Sequence, residues 1–319
     1  MTLLIRKPGI LTTVQDLGRV GEQRSGLNPS GVMDCAAARI LNIILGNEER
    51  DAVLETHFPA AGIEFEVDVA IAVGGADFAA EIDGRPIRNG ITVFAKTGSV
   101  LSFPKRIRGQ RAYLAVRGGV QVDEWRGSRS TNLIAGIGGF AGRALSTGDR
   151  IPCASSPETR PVALGNSLQP GFVQCPTIRI VAGNEYEFLT ALSERSFLRE
   201  EFLLTNDCNR MGYRLAGEPL YLLDSRDMVS SAVTFGTIQL LPDGQMIILM
   251  ADHQTSGGYP RVGNVVSVDL PVLAQCGPGD RLRFELVSTA QAERLALQFE
   301  RELNFLRVGC RLQGQNADY

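Results

Sequence analysis

The sequence is poor in the residues that usually mark chemistry. Of its 319 residues only two are histidine and one is tryptophan, and no apolar run approaches the roughly 20 residues that span a bilayer. Six cysteines (Cys35, Cys153, Cys175, Cys208, Cys276 and Cys310) are scattered with no Cys-x-x-Cys spacing. That argues against a zinc site and against the disulfide framework of a small secreted domain. Met1 to Gly9 has no basic stretch ahead of its short apolar run and no small-residue cleavage site. Lys and Arg number 32 against 35 Asp and Glu, for a net charge of −3 with no basic stripe, so the electrostatic footprint of a nucleic-acid binder is missing. Together these absences predict a cytoplasmic protein with reduced thiols, no metal, no membrane and no nucleic-acid partner.

What is present reads as mainly β, in two lobes, because a single core stops growing well near 250 to 300 residues. Asp83-Gly84, Gly118-Gly119 and Asp243-Gly244 stand between short apolar runs, and such pairs tolerate the positive φ of tight hairpins. Three helices interrupt the strands. Met33, Ala37, Ile40, Leu41, Ile44 and Leu45 recur at helical spacing between a capping Asp34 and Gly46. A weaker helical stretch runs from about Glu185 to Leu203. Ser288-Thr289-Ala290-Gln291 reads as a capping box ahead of a stripe of Ala292, Leu295, Ala296, Phe299, Leu303 and Leu306. Cys153 to Pro176, rich in proline and glycine, has no sustained period, so the expected division is 1–155, a linker over 156–174, and 175–319. Thr147-Gly148-Asp149-Arg150-Ile151 and Pro278-Gly279-Asp280-Arg281-Leu282 share a Gly-Asp turn before a strand, which fits two related lobes.

Neither glycine run that resembles a nucleotide motif qualifies. Gly90 to Thr97 has Ala95 where a P-loop needs its second glycine, and Thr92-Val93-Phe94 favours a strand. Gly136 to Gly142 leaves no room for the helix that would hold a pyrophosphate. The segment Ser128 to Arg143 nevertheless collects amides, hydroxyls and a guanidinium, which suits an anion or amide ligand, or else is a glycine-rich turn. Asn209-Arg210-Met211-Gly212-Tyr213-Arg214 offers Arg210 to grip a carboxylate and Tyr213 to donate a proton, or else a surface ion pair. In Met250-Ala251-Asp252-His253-Gln254-Thr255-Ser256-Gly257-Gly258-Tyr259, an apolar strand delivers Asp252, His253 and Gln254 to a glycine-rich rim. If the strand continues through them, Asp252 and His253 face opposite sides.

Thr12-Thr13-Val14-Gln15-Asp16, Gly18-Arg19, Ser30-Gly31-Val32-Met33-Asp34, Ala38-Arg39-Ile40-Leu41-Asn42 and Leu45-Gly46-Asn47 resemble the opening signature of the biotin-dependent carboxyltransferase domain family. That family includes allophanate hydrolase subunit 2-like proteins, the C subunit of 5-oxoprolinase and the KipI antagonist KipA. The similarity continues through Tyr113 to Gly119, Gly127 to Arg143, Arg210 to Leu215, Gly236 to Gln239 and Met250 to Gly263. Departures stand at Gly31-Val32, at Leu241-Pro242, and at Thr131-Asn132, where Asn132 replaces an acid.

The resemblance implies two cyclophilin-like β-barrel lobes with a few short sealing helices, and a substrate with an amide or ureido group. There is no Met-Lys-Met biotinylation site and no fused carboxylase segment, so the implied role is that of the C subunit in an ATP-dependent 5-oxoprolinase. Such a chain opens the lactam to glutamate together with an A subunit and a KipI-like B subunit, with ATP used by the complex at a site not identifiable from the sequence and no cofactor bound covalently. On that reading Asp252, His253 and Tyr213 are the catalytic candidates. Arg210 and Arg143, with Tyr213, hold the anionic end, Asn42 and Gln239 contact the amide, and Gln254, Tyr259, Gly138 and Gly139 complete the substrate contacts. Two alternatives are a carboxyltransferase using carboxybiotin on a separate carrier and a regulatory protein that antagonises a KipI-like kinase inhibitor.

Overall fold

In a computed structural model of the chain, residues 1–156, 162–163, 172–224 and 228–315 are described. They group into two compact units, Met1–Arg19 with Ser30–Gly171 and Glu300–Tyr319, and Val20–Pro29 with Phe172–Phe299. This differs from a simple split near 156–174 at two places: Val20–Pro29 groups with the second unit and the residues from Glu300 with the first. Most of the expected linker, 157–161 and 164–171, lies outside the described residues.

The first unit holds β1 (Thr2–Lys7), β2 (Thr12–Gln15), α1 (Cys35–Leu45), β3 (Val53–His57), β4 (Gly62–Phe65), β5 (Val69–Asp77), β6 (Glu81–Ile82), β7 (Arg85–Pro86), β8 (Thr92–Ala95), β9 (Val100–Ser102), β10 (Arg108–Val116) and β11 (Arg150–Pro152). They form a six-stranded sheet, β11-β1-β4-β9-β6-β7, and a five-stranded sheet, β2-β3-β10-β5-β8. Alternation along the second sheet explains its two buried faces. Val14, Leu54, Ile71, Val73 and Leu114 join Leu3, Ile5, Ile63 and Phe65 in one core. Val53, Ala70, Ala72, Tyr113 and Ala115 pack instead with Leu41, Ile44 and Leu45 of α1. The small alanines are what let the helix lie close.

The second unit holds β12 (Thr177–Ala182), α2 (Ala191–Arg199), β13 (Phe202–Cys208), β14 (Gly212–Ala216), β15 (Ser231–Ala232), β16 (Thr237–Leu240), β17 (Met246–Leu249), β18 (Ser256–Gly257), β19 (Arg261–Val265), α3 (Leu270–Ala274), β20 (Arg281–Leu286) and the start of α4 (Thr289–Gln315). Seven strands close into a barrel, β12-β19-β16-β17-β14-β13-β20, and β15 pairs with β18 separately. The protein is thus mainly β with few helices.

Local signals were honoured where a helix carries its own ends. Asp34 accepts from Ala37 N at 2.8 Å and Gly46 closes α1 at φ 72°. Ser288 N donates to Gln291 Oε1 at 2.8 Å while Gln291 N donates to Ser288 Oγ at 3.3 Å, the reciprocal pattern of a capping box. The stretch from Glu185 to Leu203 is not one helix. It breaks into a 3-10 turn, Tyr186–Phe188, and α2, because Leu189 and Glu200 are extended. Phe202 then enters the barrel core beside Phe197 and Phe284.

The two Gly-Asp turns are held alike. In the first unit Gly148 N donates to Ile5 O and Ile5 N to Asp149 O, while the Asp149 carboxylate accepts from Ser146 N. In the second, Gly279 N donates to Leu204 O and Leu204 N to Asp280 O, while Asp280 accepts from Gly277 N. Among the described residues no helix is long and apolar enough to cross a membrane.

Candidate functional site

β17 stops at Leu249, so Asp252, His253 and Gln254 do not continue a strand; they lie on the turn that follows. The expected opposition of Asp252 and His253 across a strand therefore does not arise, and both side chains turn inward, 2% and 1% exposed. Asp252 is locked to the segment before β14. Its N–H donates to Arg210 O at 2.7 Å, and its carboxylate accepts from Arg210 Nε at 2.8 Å and Nη2 at 3.0 Å. A two-pronged pair of this kind fixes orientation as well as charge. It also corrects the role given to Arg210: two prongs of its fork already hold the protein's own carboxylate.

His253 Nδ1 lies 2.5 Å from Gln254 O. A carbonyl only accepts, so Nδ1 carries the proton and the neutral ring keeps its lone pair on Nε2. Burial depresses the His253 pKa below its ordinary 6.5, against the opposing pull of that hydrogen bond and of Asp252. The ring is accordingly neutral at physiological pH and equipped to accept a hydrogen bond or a proton.

Gln239 sits on β16, where Ile238 points toward Ile180 and Phe197 in the barrel interior. Its own side chain therefore faces outward, yet it is 1% exposed because β18 and Gln254 lie over it. Gln254 Nε2 donates to Gln239 Oε1 at 3.4 Å. Gln254 and Gln239 thus meet through their side chains in the second unit, with the paired Asp252 and the His253 ring immediately before Gln254 in the chain.

Tyr213 is corrected out of that group. It pairs in register with Ile248, which in turn pairs with Ile238, so the ring shares the inner face of the barrel and is buried there. Tyr259 follows the glycines and is 45% exposed.

The remaining candidates belong to the first unit, and the structure gives each an internal task. Arg143 pairs through both terminal nitrogens with Asp149, at 2.7 and 2.9 Å, and its guanidinium lies over Phe140. Its carboxylate partner is therefore Asp149. Asn42 donates to Asp51 O at 2.8 Å and Glu49 O at 3.3 Å and accepts from Asn47 Nδ2 at 3.0 Å; its amide fastens the turn after α1. Gly138 and Gly139, at φ 67° and 54°, pack against Ser130 and Thr131 so tightly that a Cβ on either would collide with them. The close approach they permit is to their own chain. Asn132 Oδ1 accepts from Ile134 N at 3.1 Å and Ala135 N at 3.0 Å, which an acid at that position would also do.

Sequence reading missed Asn28, whose Nδ2 donates to Asp252 O at 2.8 Å; no periodicity marks its segment. It also missed Asp16, whose carboxylate accepts from Ser128 Oγ at 2.7 Å, Ser130 Oγ, Arg129 N at 2.6 Å and Gly18 N at 2.7 Å. Both partner segments lie in recognisable motifs, but no spacing links residues more than 110 apart.

Comparison with known proteins gives this geometry a family. The chain is 36% identical over 314 residues to the C subunit of 5-oxoprolinase from Escherichia coli, covering 98% of this chain and 100% of that one. It is 36% identical over 298 residues to the C subunit of 5-oxoprolinase from Haemophilus influenzae, covering 92% and 94%. The crystal structure of the K. lactis urea amidolyase superposes with a TM-score of 0.90 at 27% identity, covering 96% of this chain and 20% of that one. With residues 25–286 also matching the family model described as carboxyltransferase domain, subdomain A and B, the chain belongs to the carboxyltransferase domain family.

Proposed function

We propose that this chain is the C subunit of an ATP-dependent 5-oxoprolinase, which adds water across the lactam C–N bond of 5-oxoproline to give glutamate. The observation that carries the reading is the end-to-end similarity to two proteins named as the C subunit of 5-oxoprolinase. A C subunit implies further subunits, and we assign them as an A subunit and a KipI-like B subunit. ATP is a substrate of the assembled complex. In this chain Thr92–Ala95 is a strand, and the Gly136 to Gly142 loop spends amides internally, Ile137 N on Asn132 O and Gly142 N on Gly138 O. Neither segment opens a helix whose N-terminus would hold phosphates, the next element after Gly142 being β11, and we assign the phosphate site to a partner.

Within the chain the chemistry is placed in the second unit. The Arg210–Asp252 pair is the rigid floor, and His253 Nε2 is the group that accepts a proton or hydrogen bond from the substrate amide or an attacking water. The test is 5-oxoproline-dependent ATP hydrolysis by the chain reconstituted with its cognate A and B subunits. Turnover that requires this chain supports the assignment; complex formation without turnover overturns it and leaves the regulatory reading. A second reading is favoured by the superposition on urea amidolyase: carboxyl transfer from biotin on a separate carrier. It predicts a bicarbonate requirement and binding of a biotinylated carrier protein.

A further inference from the structure

The Gln239 side chain is buried, and its Nε2 has no hydrogen-bond partner among the described residues. A primary amide buried in that state costs free energy that the fold would avoid by placing an apolar side chain there. Gln254 Nε2 donates to Gln239 Oε1 at 3.4 Å, and in this arrangement the group of Gln239 left without a partner is the Nε2 donor. Gly257 fits this placement. A Cβ there would come within 2.5 Å of Gln239 Nε2 and would touch no other residue closely, so the glycine leaves the amide nitrogen its position.

The charges around the donor cancel. Arg261, the residue opposite Gln239 on β19, is held by Glu185 at 3.0 and 2.8 Å, and Arg210 is held by Asp252. His253, next to Gln254 in the chain, is held toward its neutral form by burial. An uncompensated carboxylate placed here would find no free cation among these groups, whereas a neutral carbonyl oxygen needs only an N–H.

We propose that Gln239 Nε2 is the donor to the carbonyl oxygen of the substrate amide, in a neutral subsite that takes the lactam or ureido end and not the carboxylate. The proposal deepens the function given above and rests on it for the substrate class. It removes the anionic end of 5-oxoproline from the care of Arg210 and Arg143.

The test is binding to the full-length chain by calorimetry, with 2-pyrrolidinone as a lactam without a carboxylate, 5-oxoproline, and propionate as a carboxylate without a lactam. The expected result is that 2-pyrrolidinone and 5-oxoproline bind with Kd values within about threefold of each other and propionate does not compete. Gln239→Met and Gly257→Ala each weaken both lactams by about tenfold or more. Gln239→Met without ligand should melt no lower than the wild type, because it removes an unsatisfied donor; a purely structural glutamine would instead melt lower. Equal competition by propionate, unchanged lactam binding in both variants, or no lactam binding to the wild type overturns the proposal. If the reconstituted complex turns over 5-oxoproline with an unchanged KM in Gln239→Met, the subsite falls and the function stands. If lactams bind through Gln239 but the complex is inert, the function falls and the subsite stands.

Discussion

Arg210 and Asp252 meet through two parallel hydrogen bonds, Nε to Oδ2 at 2.8 Å and Nη2 to Oδ1 at 3.0 Å, with side chains only 6% and 2% exposed. Removing one partner strands the other charge away from water, so Asp252→Ala should cost roughly 3 to 5 kcal/mol of stability. Replacing both, as Arg210→Met with Asp252→Leu, should cost clearly less than the single change. Urea unfolding of the three chains checks this. A double variant as unstable as Asp252→Ala would show that the pair's geometry, not the stranded charge, sets the loss. Activity lost in Asp252→Ala reports on chemistry where the variant is folded.

His253 supplies a pH dependence whose sign follows from its burial. The folded protein favours the neutral ring, so its pKa lies below the ordinary 6.5. The contribution to stability is complete above that value and is lost as pH falls from 6.5 through the lowered folded value. Melting temperature followed downward from neutral pH should fall less steeply in His253→Gln than in the wild type. Parallel curves would show that the ring titrates alike in both states.

Asn132 Oδ1 accepts from two backbone amides. Asn132→Asp keeps the acceptor oxygen and should leave stability within about 0.5 kcal/mol of the wild type. Asn132→Ala removes it, leaving both amides without it, and should cost on the order of 1 to 2 kcal/mol. Denaturant midpoints of the two variants decide it, and equal midpoints would make the turn indifferent to the side chain.

Gly139 combines a positive φ of 54° with a Thr131 side chain lying where a Cβ would stand. Gly139→Ala should therefore cost more than the roughly 1 kcal/mol of conformational strain alone, about 2 kcal/mol or more. The nearest obstruction to that Cβ is Thr131 Oγ1, so the Gly139→Ala, Thr131→Ser double variant, which keeps the hydroxyl, should show no recovery in circular dichroism melts; recovery would place the obstruction at the Thr131 methyl instead.

The sequence was most legible where a signal and its partner sit within one turn of chain. Asp34 and Gly46 bound α1, Ser288 and Gln291 cap α4, and Asp83-Gly84 turns at φ 50° and 75° between β6 and β7. Pairings set by sheet register were not legible. Nothing local says that Arg210 will meet a carboxylate 42 residues on, or that a two-residue period puts Tyr213 on the inner face of the barrel and Gln239 on the outer. Gly138 and Gly139 show the same limit from another side. Positive φ was foreseeable from the residue type, but what fills the space beside them depends on Ser130 and Thr131 arriving there.

The repeated Gly-Asp turns have a consequence for how the chain reaches its native state. β1 and β13 each offer a backbone amide and carbonyl that are answered by a Gly-Asp pair in the same pattern, so a nascent chain contains two strand edges and two interchangeable closures. Tandem segments with common pairing rules are prone to exchange partners while folding. Here the main-chain bonds are indifferent to the exchange, as are the backbone amides of Ser146 and Gly277 that cap the two aspartates, so discrimination falls to the side chains of the strands that follow, β11 beside β1 and β20 beside β13. Making those two strands alike would be expected to raise the yield of misassembled chains on refolding without weakening either native turn.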